Sequence, residues 1–366
     1  MFSPTDYRFM AQALRLAEKG LYSTSPNPRV GCVLVRDGQV VGTGWHERAG
    51  EAHAEINALA AAGPAVRGAT VYLTLEPCSH QGRTPPCAYA LVQAGVAKVI
   101  AAMQDPNPLV SGRGCALLEE AGIEVQTGLM EAEAKALNIG FVSRMTRGRP
   151  WVRAKIAASL DGKTALNNGS SQWITSEAAR RDGHRWRARS CAVMTGIGTV
   201  LADDPQLTVR HIHTSRQPMP VVVDRGLDIP LDAGLLRGAG ELVFTAAASE
   251  GKIVALRDVG VHVILLPDSA GNVDLAAMMQ RLADLEINEV LVEAGRGLNG
   301  GLIQADMVDE FVIYLAPCLI GEAARDMLKL PELSNLEDKR VLKIHDVRAV
   351  GQDIRIIARV ADRMLT

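Results

Sequence analysis

Apolar and polar positions along the chain follow two rhythms, and the change from one to the other predicts its elements. Tyr7, Met10, Ala11, Leu14 and Ala17 recur at the three-to-four-residue spacing of a packed helix. Residues 30–35 and 40–44 then flank Asp37-Gly38, a tight hairpin signal. Next the spacing predicts a helix at 52–62, a strand at 69–75, a helix at 87–94, a strand at 98–103, a helix at 114–121, a strand at 124–127 and a helix at 130–144. These make a three-layer α/β unit. The basic stretch M-T-R-G-R-P at 145–150 is broken by Gly and Pro and predicts a linker. A second series follows: strand 152–157, helix 176–189, strands 192–195, 221–224, 242–245 and 261–266, helix 275–285, strand 289–293, helix 299–305 and strand 310–315. The strands between 192 and 266 succeed one another without a helix, which predicts a mixed sheet, and 343–348 with 353–360 reads as a closing antiparallel pair. The expectation is an α/β protein of two domains, 1–147 and 148–366.

Composition narrows this picture. Apolar residues are 48% and charged residues 22%, which excludes wholesale disorder. Up to Arg147 there are 13 basic and 13 acidic residues, and after it 26 and 28. Neither part has the positive excess that a phosphate backbone calls for, so a nucleic-acid partner is not expected. No apolar run approaches the roughly 18 residues of a membrane span, and residues 1–20 lack the apolar core of a signal peptide. A cytoplasmic protein is expected, without a membrane partner and with reduced cysteines. Cys32, Cys115, Cys191 and Cys318 are isolated among apolar neighbours and are expected in the core. The apolar closing strands are where self-association into a homo-oligomer is expected.

One group of residues carries chemistry. His53-Ala54-Glu55 opens a helix, Pro77-Cys78 ends a strand, and Cys87 opens another helix after Pro85-Pro86. This is the H-x-E…P-C…C pattern of a zinc deaminase. An imidazole and two thiolates leave a fourth tetrahedral position open, the mark of a catalytic zinc. A cysteine at a helix N-terminus is favoured as thiolate by the unpaired N–H groups. Glu55, not a ligand, is the expected general acid/base that relays the water's proton to the ring nitrogen and then to the leaving amine. Eight residues rather than two separate Cys78 and Cys87, so the loop S-H-Q-G-R-T-P-P brings His80 and Arg83 beside the metal.

A second group is less specific. Gly295-Arg296-Gly297-Leu298-Asn299-Gly300-Gly301 follows a predicted strand and literally matches G-x-G-x-x-G, but late in the series and without an acid about 20 residues on. A packing turn and a dinucleotide site outside a Rossmann domain both fit. Arg180, His184 and Arg187 share one helical face, a solvated charged face by default or an anion site for a substrate phosphate.

Longer motifs span nearly the whole chain: P-N-P-x-V-G-C at 26–32, A-G-E-x-H-A-E at 49–55, T-L-E-P-C-S-H-x-G-R-T-P-P-C at 74–87, Q-D-P-N-P at 104–108, A-S-L-D-G-K-T-A at 158–165, S-Q-W-I-T at 171–175, T-V-L-A-D-D-P-x-L-T-V-R at 199–210 and V-E-A-G at 292–295. In these the chain resembles the bifunctional deaminase/reductase family of riboflavin biosynthesis, RibD/RibG. The resemblance implies a cytidine-deaminase-like N-terminal domain and a C-terminal domain similar to dihydrofolate reductase. It implies hydrolytic deamination of 2,5-diamino-6-ribosylamino-4(3H)-pyrimidinone 5′-phosphate, then NADPH-dependent reduction of the ribosyl chain of the product to ribityl. Carried over by motif, zinc falls on His53, Cys78 and Cys87, with Glu55 as proton shuttle. Asn27, His46 and Arg83 would contact the first substrate. NADP would contact Ala157, Trp173, Thr199, Asp203 and the run Gly295, Arg296, Gly297, Leu298, Asn299, Gly300 and Gly301. The second substrate would meet Ser171, Arg187, Leu207, Arg210 and Glu293, with Lys155 facing the ribose. Arg187 would thus be a phosphate ligand and its arginine neighbours surface charge. The resemblance leads one to expect a hydroxyl residue near the cofactor's ribose where Arg225 stands. The partners implied are small phosphorylated pyrimidines. The alternative, a nucleic-acid or nucleoside deaminase with a C-terminal binding module, is opposed by the near-neutral N-terminal half.

Overall fold

Ser3 and Asp6 cap each other's backbone amides and start the first helix, Pro4–Glu18, in the computed structural model, which describes residues 1–79, 86–108, 110–238 and 240–361. The chain divides into two units, Met1–Gly148 and Arg149–Thr366. In the first, strands β1 (Gly31–Arg36), β2 (Gln39–Trp45), β3 (Thr70–Leu73), β4 (Lys98–Ala101) and β5 (Glu124–Thr127) form one sheet in the order β2-β1-β3-β4-β5. β1 is antiparallel to both neighbours, while β3, β4 and β5 are parallel. Ala58, Leu91 and Leu118, from helices Ala54–Ala62, Cys87–Ala94 and Arg113–Glu120, pack with Leu34, Val71 and Val99 of the sheet. Elsewhere the Phe9 ring of the first helix lies tilted against Tyr72 of β3, with centroids 5.3 Å apart.

Two features set the position of His53. A Cβ on Gly44 of β2 would lie 2.4 Å from the Ala54 carbonyl and 2.5 Å from the Ala58 nitrogen. The bare strand therefore lets helix Ala54–Ala62 approach at backbone distance. His53 is the N-cap of that helix.

The helix expected at 130–144 is two helices, Glu131–Leu137 and Ile139–Arg147. Asn138 breaks it: its buried amide accepts the Arg29 amide at 2.8 Å and donates to the Arg29 carbonyl at 2.9 Å. The second helix runs through 145–147, so the expected linker is helical until Gly148, the left-handed C-cap at φ 64°.

In the second unit the strands are β6 (Trp151–Ser159), β7 (Lys163–Ala165), β8 (Ala192–Gly196), β9 (Met219–Val223), β10 (Leu242–Thr245), β11 (His262–Leu265), β12 (Glu289–Val292), β13 (Glu310–Ala316), β14 (Arg325–Asp326), β15 (Leu342–Val350) and β16 (Asp353–Val360). Nine of them form a sheet in the order β11-β10-β9-β8-β12-β6-β13-β16-β15, and β14 pairs separately with β7. β11 through β13 are parallel, and β16 and β15 are antiparallel, so the sheet is mixed as expected.

The stretch 192–266 does contain helices, Ile197–Asp203 and Glu250–Asp258, contrary to expectation. Each buries one side chain, Val200 and Leu256, too few to leave a helical rhythm in the sequence. Cys318 is exposed rather than in the core, since it lies beyond Pro317 where β13 has ended. The arginines of helix Glu177–Arg189 are not uniformly surface charge either: Arg189 pairs with buried Glu289 at 2.9 Å.

Candidate active sites

In the first unit, His53, Cys78 and Cys87 place three ligand atoms within 4.8 Å of one another. Each comes from an element end: the N-cap of helix Ala54–Ala62, the segment after β3, and the first residue of helix Cys87–Ala94. Cys87 Sγ lies 3.3 Å from His53 Nδ1 and Cys78 Sγ 3.7 Å from it. The start of helix Cys87–Ala94 grips Cys78 twice, through the Cys87 amide on Cys78 Sγ at 3.3 Å and the Ala88 amide on the Cys78 carbonyl at 3.2 Å. That pairing explains why Cys87 opens a helix: its free amide serves the neighbouring sulfur.

The electrostatics suit a cation. The Cys87 S–H and the His53 imidazole hold Cys78 well below the usual thiol range. Cys78 in turn pushes Cys87 up, with burial and Glu55 adding to the effect, because two adjacent sulfurs resist sharing negative charge. A divalent cation among the three removes that conflict, so this donor set fits zinc. Glu55 is 3% exposed, and burial raises its carboxyl to about 7.

His46 and Asn27 stand beside this cluster. The His46 ring lies edge-on to His53 with centroids 5.3 Å apart. Its Nδ1 donates to the Ala52 carbonyl at 3.1 Å, so Nε2 is left to accept from Asn27 Nδ2 at 3.1 Å. The Asn27 amide is thereby turned with its carbonyl oxygen available. Arg83 and His80 lie outside the described residues.

In the second unit a cavity of about 930 Å³ opens along β9, β8, β12 and β6 at the side where parallel strands end. Lys155, Ala157, Ser171 and Glu293 line it, as do Thr199 and Asp203. So do Gly295, Arg296, Gly297, Leu298, Asn299 and Gly301. The glycine-rich run is the start of a helix, Arg296–Gln304, rather than a loop before 299. No side chain among the described residues caps that helix, so its first amides are left to an anion. Asn299 is buried, donates to the Ala294 carbonyl at 3.0 Å, and keeps its own carbonyl oxygen without a partner among the described residues. Free amides and an orphaned acceptor on one cavity wall fit a phosphorylated cofactor. Gly300 has a different reason to exist: a Cβ there would sit 2.1 Å from the Lys329 carbonyl oxygen, and Gly300 does not line the cavity.

Arg187 grips both oxygens of Glu293, at 2.6 and 3.0 Å, and donates to the Thr208 carbonyl at 2.9 Å. Burial works against the Glu293 carboxylate, but Arg187 outweighs it and holds the group down to about 2. Burial also loosens the proton on Lys155, with Glu293 opposing. Trp173 stands apart, 69% exposed with the Arg180 guanidinium 4.5 Å over its ring. Leu207 is buried at φ 55°, and Arg210 is exposed with a guanidinium nitrogen on Gln206 Oε1 and Thr208 Oγ1.

Comparison with known proteins decides the family. Residues 3–103 match the cytidine and deoxycytidylate deaminase zinc-binding region, and residues 150–356 match the RibD C-terminal domain. The riboflavin biosynthesis protein RibD of Escherichia coli (strain K12) is 47% identical over 361 residues, covering 95% of this chain and 98% of that protein. The chain belongs to the RibD family. Among solved structures, Acinetobacter baumannii RibD, form 1, has a TM-score of 0.91 at 45% identity, covering 97% of this chain and 98% of that one. A diaminohydroxyphosphoribosylaminopyrimidine deaminase/5-amino-6-(5-phosphoribosylamino)uracil reductase from Thermotoga maritima has a TM-score of 0.86 at 33% identity, covering 98% and 99%.

Sequence reading of this RibD-family chain passed over Glu76, Thr164 and Arg325, and it noted Arg225 near the cofactor's ribose without giving it a site role. Glu76, two positions before Cys78, is buried and accepts the amides of Asp105, Gly112, Gly114 and Cys115. It stood in a quoted motif, but its partners lie 29 or more residues away. Arg225 lines the cavity just past β9, and the end of a parallel strand was a signal available in the sequence. Thr164 and Arg325 line it through the β7–β14 pair, which no spacing reveals.

Proposed function

We propose that this chain catalyses two successive steps of riboflavin biosynthesis. Residues 1–147 hydrolytically deaminate 2,5-diamino-6-ribosylamino-4(3H)-pyrimidinone 5′-phosphate. Residues 148–366 then reduce the ribosyl chain of 5-amino-6-(5-phosphoribosylamino)uracil to ribityl with NADPH. The observation that carries this reading is the close set His53, Cys78 and Cys87 beside buried Glu55, in a chain whose second unit opens a dinucleotide-sized cavity. The activities named for the Thermotoga neighbour support it. The substrates are small phosphorylated pyrimidines, and we place the reactions in the cytoplasm. Among the described residues no helix is long and apolar enough to cross a membrane.

In the deaminase half, His53, Cys78 and Cys87 would hold zinc, which when bound supplies Lewis acidity that makes hydroxide accessible near neutral pH. Glu55, at about 7, is poised to accept a proton from water and to return it to a ring nitrogen and then to the departing amine. The free carbonyl oxygen of Asn27, fixed by His46, offers an acceptor for an N–H of the pyrimidine.

In the reductase half, NADPH supplies the hydride when bound. The helix start at Arg296–Leu298 would hold its pyrophosphate, with Thr199, Asp203 and Ala157 along the same cavity. Lys155, on β6 beside Glu293, is placed to give a proton to the sugar oxygen released as C1′ is reduced. β6 and β9 are three strand spacings apart, about 14 Å, which matches the reach of an extended dinucleotide. Among the described residues Arg225 accepts from Thr245 and Ala246 through its backbone carbonyl alone, and its guanidinium would then meet the 2′-phosphate at the far end.

The test supplies the phosphorylated diaminopyrimidine to zinc-loaded protein and follows ammonia, then adds NADPH and follows its absorbance. Ammonia release followed by NADPH consumption supports the reading, and zinc-loaded protein that releases none overturns it.

A further inference from the structure

Helix Glu177–Arg189 presents His184 and Arg187 to the segment Thr208–Arg210, where both hold backbone groups. Arg187 donates to the Thr208 carbonyl at 2.9 Å, and the Arg210 amide donates to His184 Nδ1 at 3.2 Å. From elsewhere, the Gln217 side-chain amide takes both polar groups of Val209: it accepts from the nitrogen at 2.7 Å and donates to the oxygen at 3.2 Å. Four consecutive-residue backbone groups are thus held by three side chains, in the way a neighbouring strand would hold them. Leu207, at φ 55°, precedes the segment in a left-handed conformation that a leucine adopts only where its surroundings impose it. The guanidinium of Arg187 is committed to Glu293 and Thr208, whereas Arg210 is exposed.

We propose that His184 and Gln217 are positioning residues for the reductase substrate: together with Arg187 they fix the backbone of Thr208–Arg210, so that the Arg210 guanidinium is presented to the substrate in a preformed place. This rests on the reading that Arg210 contacts that substrate. His184 serves only as a neutral imidazole, since a proton on Nδ1 would remove the acceptor that Arg210 needs. Its burial, and the facing Arg187, His211 and Arg210, hold it neutral against the opposing pull of Glu293, with the group brought down to about 4. His211 stands edge-on to the ring, with centroids 4.5 Å apart. Arg187 in this arrangement helps build the site, and its guanidinium keeps two further N–H donors beyond those given to Glu293 and Thr208.

The experiment measures reductase kinetics of the full chain with NADPH and 5-amino-6-(5-phosphoribosylamino)uracil for His184→Leu, His184→Gln, Gln217→Leu and Arg210→Ala. His184→Leu and Gln217→Leu should each raise KM about tenfold, the scale of one lost hydrogen bond to a positioned group, with kcat within about twofold. His184→Gln keeps an acceptor oxygen and should restore most of the KM. If Arg210→Ala raises KM while Gln217→Leu and His184→Leu leave it unchanged, the proposal fails and the contact with Arg210 stands. If Arg210→Ala itself leaves KM unchanged, the underlying reading of Arg210 fails. A His184→Leu chain that does not fold leaves the decision to exposed Gln217, where a wild-type KM overturns the proposal.

Discussion

His53, Cys78 and Cys87 draw three ligand atoms within 4.8 Å from short segments of one unit, and Glu55 lies two residues from the first of them. The cavity of the other unit takes its lining from β6, from the ends of β8, β9 and β12, from a helix start and from the β7–β14 pair. The difference follows from who performs the chemistry. Where side chains hold an ion and move protons, residue types are prescribed and spacing is tight. Where a cofactor carries the reactive atom, backbone amides and scattered charge suffice, and many residue types can supply them.

The largest effect that would break this contrast comes from Glu55. Glu55→Gln should lower ammonia release about 10²- to 10⁴-fold while leaving zinc content and NADPH-dependent reduction of supplied product unchanged. A matching loss of reduction would show that the two halves are not chemically separate. Next in size, Arg225→Ala should weaken NADPH binding about tenfold or more and leave NADH within about twofold, measured by fluorescence titration of the full chain, as expected for a lost charge-assisted contact. Equal weakening of both cofactors would remove Arg225 from the 2′-phosphate. Gly300→Ala drives a Cβ toward the Lys329 carbonyl and should cost the second unit about 1–3 kcal/mol of stability, read by denaturation, with deamination untouched.

The smallest effect is in pH. Glu293 sits at about 2 in the folded chain against 4.5 ordinarily, so as pH falls the unfolded chain takes up its proton first. The ion pair's contribution is therefore complete above pH 4.5 and is lost as pH falls toward about 2. His184, at about 4 against 6.5, gives a second loss in the same direction between pH 6.5 and 4. In denaturant titrations of the second unit, Glu293→Gln should flatten the lower window and spare the upper one. An unchanged slope below pH 4.5 would assign the acid sensitivity elsewhere.

Legibility in the sequence followed the same division. The candidate metal ligands and the acid proposed beside them were readable because thiolates and an imidazole at element ends have few other uses. Helix Cys87–Ala94 and strands Glu124–Thr127 and Leu242–Thr245 were bounded as the apolar pattern predicted. The glycine-rich run was readable as special but not as divided between two tasks. Gly295 and Gly297 line the cavity, whereas Gly300 admits the Lys329 backbone, and only the three-dimensional neighbour separates them. The break at Asn138 was hidden for a like reason, because its partner Arg29 is 109 residues away.

By itself the sequence determined the two α/β halves, a candidate donor set for a metal, the acid two residues from it and the family. Those depend on local periodicity and on residue chemistry that few alternatives can replace. Only the tertiary structure decided that Arg187 is bound to Glu293 and Thr208, that His184 holds the Arg210 amide, and that Arg225 shares a cavity with Lys155. Such pairings depend on which strands become neighbours, and the sheet order that sets this is a property of the folded chain rather than of any one segment.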